Sequence, residues 1–186
     1  MEHYESWMER LEKEGFDPFL LTFKFRHIPG SPLSVQKAMR EEVERVYGAS
    51  LTRIFRRPNS AANRPRQPRW IACPDYPVGK GVKSSLRDVT INGGRHVHAI
   101  AMVPHESRLQ ERFDLHLLAN NATYVRAPLL DLQAEPVRSR LGYVTGYGMK
   151  QLGQGRVDSD QIIILPRTLC EMPSRSDRRM DRLLDA

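Results

Sequence analysis

The sequence predicts an α+β fold in which helices pack on a central, largely antiparallel sheet. Three observations carry that expectation. An apolar, aromatic-rich run occupies residues 16–25, and an amphipathic segment with helical spacing follows at residues 34–48. Beyond them, short apolar runs and helical patterns give the whole chain the order strand, helix, strand, strand, helix, strand, helix, strand. With 186 residues, 40% of them hydrophobic and 27% charged, the chain has the size and composition of one globular domain. Its thirteen prolines and twelve glycines are spread among apolar runs, which argues against a wholly disordered chain. The expected organisation is one folded unit over residues 1–166 and a charged C-terminal tail over 167–186, either a terminal helix or frayed.

Each element has a local justification. MEHYESWMERLEKEG is a short, charged helix candidate, and FDPFLLTFKF behind it has the composition of a central strand. After the turn IPGSP, Val35, Met39, Val43 and Val46 recur at helical spacing, with Ser34 as the expected N-cap and Gly48 as the expected stop. The following tract holds Arg53, Arg56, Arg57, Arg64, Arg66 and Arg69 with no acidic residue between them. It suits either a solvated basic loop or a clamp for phosphates, which guanidinium groups pair with well. Trp70 closes the tract as core or as a stacking platform. RWIACPDYPV is an expected strand, VGKGVKSSLRDVTINGG an expected hairpin excursion, and RHVHAIAMVP a second strand closed by Pro104. ESRLQERFDLHLL places Leu109, Phe113 and Leu117 on a helical stripe, and NNATYVRAPLLDL supplies an edge strand or an irregular return. In PVRSRLGYVTGYGMKQLG, one helical face carries Val137, Leu141, Val144, Gly148 and Leu152, and another carries Tyr143, Tyr147 and Lys150. DQIIILP is the last expected strand.

Composition narrows the function classes. The longest apolar runs fall far short of the roughly 20 residues that span a bilayer, and the acidic N-terminus lacks a signal-peptide core. A cytoplasmic protein with no membrane partner is expected. Cys73 and Cys170 form no C-x-x-C pair, so they are expected to be buried and reduced, and zinc held through cysteine is disfavoured. A net charge of +7 and a pI near 9.7 point to a polyanionic partner.

The histidine strand is the chemical signal. Successive side chains of a strand point to opposite faces, so His96 and His98 share one face about 7 Å apart along the chain. Two imidazoles so placed can reach one cation; alternatively they hydrogen-bond at a sheet edge. His27, His105 and His116 have no comparable spacing and are expected to be structural or superficial.

Taken in order, the apolar strand FLLTFKF, the histidine strand HVHAIAMV and the helix YVTGYGMK resemble the HUH endonucleases, especially their rolling-circle replication initiators and single-strand transposases. The resemblance spans residues 16–150 and implies an HUH/Rep-like nuclease domain. Two-tyrosine initiators carry Y-x-x-K-Y-x-x-K or near variants; Tyr143, Tyr147 and Lys150 match, whereas Gly146 stands where a lysine is common.

From the resemblance follow the expected roles. His96 and His98 would hold Mg²⁺ or Mn²⁺, with Asp75 as third ligand from a strand expected beside them and Asp88 as runner-up. Tyr147, with Lys150 at the family spacing, would attack a scissile phosphate to leave a 5′-phosphotyrosine link and a free 3′-hydroxyl, and Tyr143 would be a second nucleophile if there is one. Arg53, Arg56, Arg57, Arg64, Arg66 and Arg69 would hold the backbone of single-stranded or hairpin DNA, with bases stacking on Trp70. No G-x-x-x-x-G-K-[ST] motif occurs, so a helicase would be a separate partner. The rival expectations are a non-catalytic DNA-binding protein of the same fold, acting in origin recognition or regulation, and a metal-dependent phosphoesterase. The latter commonly carries paired H-x-T or H-x-S motifs, whereas the sequence holds a single one, His105-Glu106-Ser107.

Overall fold

A computed structural model describes residues 2–76 and 91–167. The chain runs α1 (Glu2–Lys13), β1 (Phe16–Phe25), α2 (Pro32–Ile54), β2 (Arg69–Asp75), β3 (His96–Pro104), α3 (Phe113–Ala119), α4 (Asn121–Tyr124), β4 (Leu129–Pro136), α5 (Leu141–Gly148), α6 (Lys150–Gly153) and β5 (Ile163–Leu165). The expected α+β class and the expected alternation of strands and helices are both present. The five strands form one sheet in the order β4-β1-β3-β2-β5, with every neighbouring pair antiparallel. None of the described helices is long and apolar enough to cross a membrane.

The two-residue period of the strands divides the interior in two. Phe19, Leu21, Phe23 and Phe25 of β1, with Val97, Ala99, Ala101 and Val103 of β3, face a core closed by α2 and α3. Ile71 and Cys73 of β2, with Ile100 and Met102 of β3, face a second core against Met8 and Leu11 of α1 and Leu141 of α5. Sheet register then decides which side chains meet. Asp75 lies opposite His96, and His98 lies between Cys73 on one side and Thr22 on the other. A shift of one residue in either pairing would send one partner to the opposite face.

Several helix ends differ from expectation for identifiable reasons. Ser31, not Ser34, caps α2: its hydroxyl accepts from the Ser34 N–H at 3.2 Å, and Pro32 occupies the first turn, where its missing N–H costs nothing. Gly48 does not stop that helix, which continues to Ile54 because Ser50 and Ile54 are buried against the core. The helix expected from Glu106 begins only at Phe113; the Arg108 N–H instead donates to the Ile54 carbonyl, tying the preceding segment to the end of α2. The helix expected to run unbroken from Pro136 to Gly153 starts at Leu141 and is interrupted at Met149, which separates α5 from α6. Most of the expected hairpin excursion, with the runner-up ligand Asp88, lies outside the described residues, as do Cys170 and most of the expected tail.

Trp70 is core. It has no exposed surface, and its ring meets those of Tyr47, Phe113 and Phe23 at centroid separations of 5.3, 6.3 and 6.4 Å. That packing removes it as a stacking platform for bases. Trp70→Ala is expected to cost roughly 3–5 kcal/mol, the range for emptying a large aromatic site. Chemical denaturation checks this.

Candidate metal centre

Asp75, His96 and His98 converge at one end of the sheet. The two Nε2 atoms lie 3.1 Å apart, and Asp75 Oδ2 stands 3.3 Å from each of them. Asp75 and His98 are buried, whereas His96 is half-buried at the rim. The strand expected to flank the histidine strand does so, and it delivers the carboxylate from the position opposite His96.

Hydrogen bonds behind the rings fix which nitrogens face inward. His96 Nδ1 lies 3.2 Å from the Gly94 carbonyl, which can only accept, so Nδ1 carries the proton and the neutral ring turns its Nε2 lone pair toward Asp75. His98 Nδ1 lies 3.1 Å from Thr22 Oγ1, a hydroxyl that can accept or donate, so the contact orients this ring without fixing its tautomer. With both rings neutral and protonated at Nδ1, three acceptor atoms face one another at close range, a repulsive arrangement unless a proton or a cation lies among them. The spacing suits a metal: donor atoms in adjacent positions around an ion with bonds of about 2.1 Å are themselves about 3.0 Å apart. The cluster could therefore hold a metal ion.

Asp75 is further tied to α6. Gln151 Nε2 donates to Asp75 Oδ1 at 2.6 Å and to the Tyr76 carbonyl at 3.0 Å, while Lys150 Nζ lies 2.5 Å from Oδ2. Burial alone would raise the Asp75 pKa, but hydrogen bonds with His96 and His98, when a proton lies on their facing nitrogens, and with Lys150 and Gln151 outweigh it and hold the carboxyl well below the usual range. Its contribution to stability is therefore present above the unfolded-state pKa near 3.9 and is lost only as pH falls through the lowered native value. Acidification within the neutral range leaves this ligand ionised. Cys73 belongs to the same face, but burial pushes its thiol up to about 11, so it stays protonated at neutral pH.

Lys150 places a positive charge on the carboxylate oxygen that faces both imidazoles, so it opposes any divalent cation there. Lys150→Met keeps the length and apolar stem of the side chain and removes that charge. It is expected to bind Mn²⁺ roughly tenfold more tightly or better. Calorimetric titration of the two proteins checks the direction.

The tyrosine helix lies over this cluster. Gly148 rests on β3: a Cβ there would lie 3.6 Å from Ile100 and 3.9 Å from the His98 Cβ. Gly142 and Gly146 turn instead toward α1, where an added Cβ would come within 2.9 Å of Glu9 Oε1 and 3.0 Å of Glu5 Oε1. What Gly146 meets on α1 is the carboxylate tip of Glu5, the end of a flexible side chain that can swing aside, so this contact alone does not exclude a longer residue there. Tyr147 is half-exposed, with its ring 5.9 Å from the His98 ring and the Lys150 ammonium 4.4 Å from its centroid. Tyr143 is 71% exposed and makes no ring contact, hydrogen bond or ion pair with the cluster.

The structure thus gathers Asp75, His96, His98, Tyr147 and Lys150 and leaves Tyr143 outside the group. The arginine tract lies elsewhere, beyond the opposite end of β2, about 20 Å away by the rise along that strand. Arg66 pairs with Glu106, and Arg69 donates to the carbonyls of Gln67 and Pro65. His105 pairs with Asp17 at the surface, and His116 is buried between Glu111 and Tyr124, one superficial and one structural. Thr22 and Gln151 were not among the expected site residues. Thr22 is the one polar residue within the run Phe19–Phe23 of β1, a signal that could have marked it, whereas Gln151 is found only through the bend at Met149.

Fold and site together define an α+β protein with an Asp-His-His cluster able to hold a metal beside a half-exposed tyrosine. No protein-family model matches the chain, and no curated protein and no solved structure matches it.

Proposed function

We propose that this chain is a metal-dependent enzyme that nicks and rejoins single-stranded DNA, including strands exposed in hairpins, in the manner of the HUH endonucleases its motif order resembles. The observation that carries this reading is the position of Tyr147, half-exposed against His98 and beneath the Lys150 ammonium. Asp75, His96 and His98 would hold Mg²⁺ or Mn²⁺, which when bound polarises a non-bridging phosphate oxygen.

The remaining steps belong to the chain. A tyrosine hydroxyl, with its reference pKa near 10, is a weak nucleophile at neutral pH unless the developing charge is stabilised. Lys150, over the ring face, supplies a cation for that charge and for the phosphate. Tyr147 Oη attacks phosphorus and loses its proton, and the bond to the 3′-oxygen breaks. That oxygen takes up a proton to become a free 3′-hydroxyl, while the 5′-phosphate stays esterified to the tyrosine. Reversal by a 3′-hydroxyl joins strands without a nucleotide cofactor.

The reading is tested by incubating purified protein with a panel of 5′-labelled single-stranded oligonucleotides and Mn²⁺. Shortened strands that a polymerase can extend, abolished by EDTA, are the expected products. Tight binding with no cleavage at any sequence or metal would instead identify a non-catalytic DNA-binding protein.

A further inference from the structure

The segment between α2 and β2 is basic but not loose. Asn63 Nδ2 donates to the Arg57 carbonyl at 2.9 Å, the buried Gln67 donates to the Pro58 carbonyl at 3.0 Å, and Phe55 is buried beneath the segment. The Arg108 N–H, bonded to the Ile54 carbonyl at 3.0 Å, brings a residue from the far side of β3 up to it. The result is an open cleft of about 500 Å³ lined by Phe55, Arg56, Arg57, Ser60, Asn63 and Arg108.

Charge within the cleft is uneven in an informative way. Arg66 and Arg69 are turned to protein partners, and Arg53, in the last turn of α2, complements the helix dipole. Arg56, Arg57 and Arg108 are all exposed, and among the described residues none of the three pairs with a carboxylate. Three guanidinium groups converging on a braced cleft with a hydroxyl and an amide beside them suit phosphate oxygens, and the bracing lowers the entropic cost of binding. The site stands beyond the end of β2 remote from Asp75, six residues along the strand, or about 20 Å by the rise along it.

We propose that this cleft is a second phosphate-backbone site, which holds the same DNA strand at a distance from the metal centre. The choice of DNA as ligand rests on the nicking function proposed above. At about 3.4 Å per nucleotide in a stacked strand, bridging the two sites takes roughly six nucleotides or more. Oligonucleotides shorter than that reach one site only, and longer ones engage both.

The test is fluorescence anisotropy with labelled oligo(dT) of 4, 8, 12, 16 and 20 nucleotides, using the full chain and the variant Arg56→Gln/Arg57→Gln/Arg108→Gln. The parent is expected to gain affinity stepwise once the oligonucleotide bridges both sites. The variant should lose that step, bind the longest oligonucleotide at least about tenfold more weakly, and show a salt slope lower by about 2, the single-strand value for three phosphate contacts. All three substituted side chains are exposed, so the melting temperature is expected to stay within a few degrees of the parent. Equal affinity and slope in parent and variant would overturn the proposal, even if the protein nicks DNA. Length-dependent binding lost in the variant would support it, even if no oligonucleotide is ever cleaved.

Discussion

Tyr147→Phe is expected to abolish cleavage of single-stranded DNA, by roughly 10³-fold or more, the scale on which an acting nucleophile is lost. Phenylalanine keeps the ring beside His98 and under Lys150 and deletes only the oxygen that would attack, so DNA binding and melting temperature should be unchanged. Tyr143→Phe is the matched control. Its ring lies one helical turn away, is 71% exposed and touches none of the cluster, so first-strand cleavage should persist. If Tyr143→Phe is the inactive member of the pair, the roles assigned to the two tyrosines are reversed.

His98→Ala should be equally severe, by a different route. It removes one of three metal-facing atoms together with the ring that Tyr147 packs against, while backbone pairing of β3 with β1 and β2 is untouched. Changes to groups that only orient a ligand commonly cost 10–100-fold in metal affinity, and loss of the ligand itself is expected to exceed about a hundredfold. Thr22→Val provides the graded comparison. It deletes the hydroxyl behind His98 Nδ1 and should weaken Mn²⁺ binding within that 10–100-fold range. Calorimetry on the three proteins orders them as parent, Thr22→Val, His98→Ala. Unaltered Mn²⁺ affinity in His98→Ala would remove the metal assignment.

Much of this site was legible in the chain because strand periodicity is simple. Alternation alone puts His96 and His98 on one face, and one antiparallel neighbour suffices to bring Asp75 opposite His96. Helix spacing placed Tyr147 within reach of Lys150, and that contact survives although Met149 breaks the helix between them. What escaped reflects tertiary packing. Gly48 carries a helix stop in its composition, yet buried residues on both sides draw α2 through it. Trp70 and the arginines around it form one basic, aromatic stretch in the sequence. Burial separates them: the ring enters the core, two guanidiniums turn to protein partners, and Arg56 and Arg57 cluster with Arg108, some fifty residues further along the chain by sequence numbering. Gln151 was hidden for the same reason, since its bond to Asp75 depends on the direction that α6 takes after the break.

The covalent intermediate is the central claim, and it can be isolated. Parent protein incubated with 3′-labelled single-stranded DNA and Mn²⁺ should give a labelled band of protein mass that survives denaturation, is absent with EDTA, and yields on digestion one modified peptide. Mass spectrometry of that peptide should place the nucleotide phosphate on Tyr147. Cleaved DNA with no protein-linked product, or an adduct on any other residue, would contradict the account.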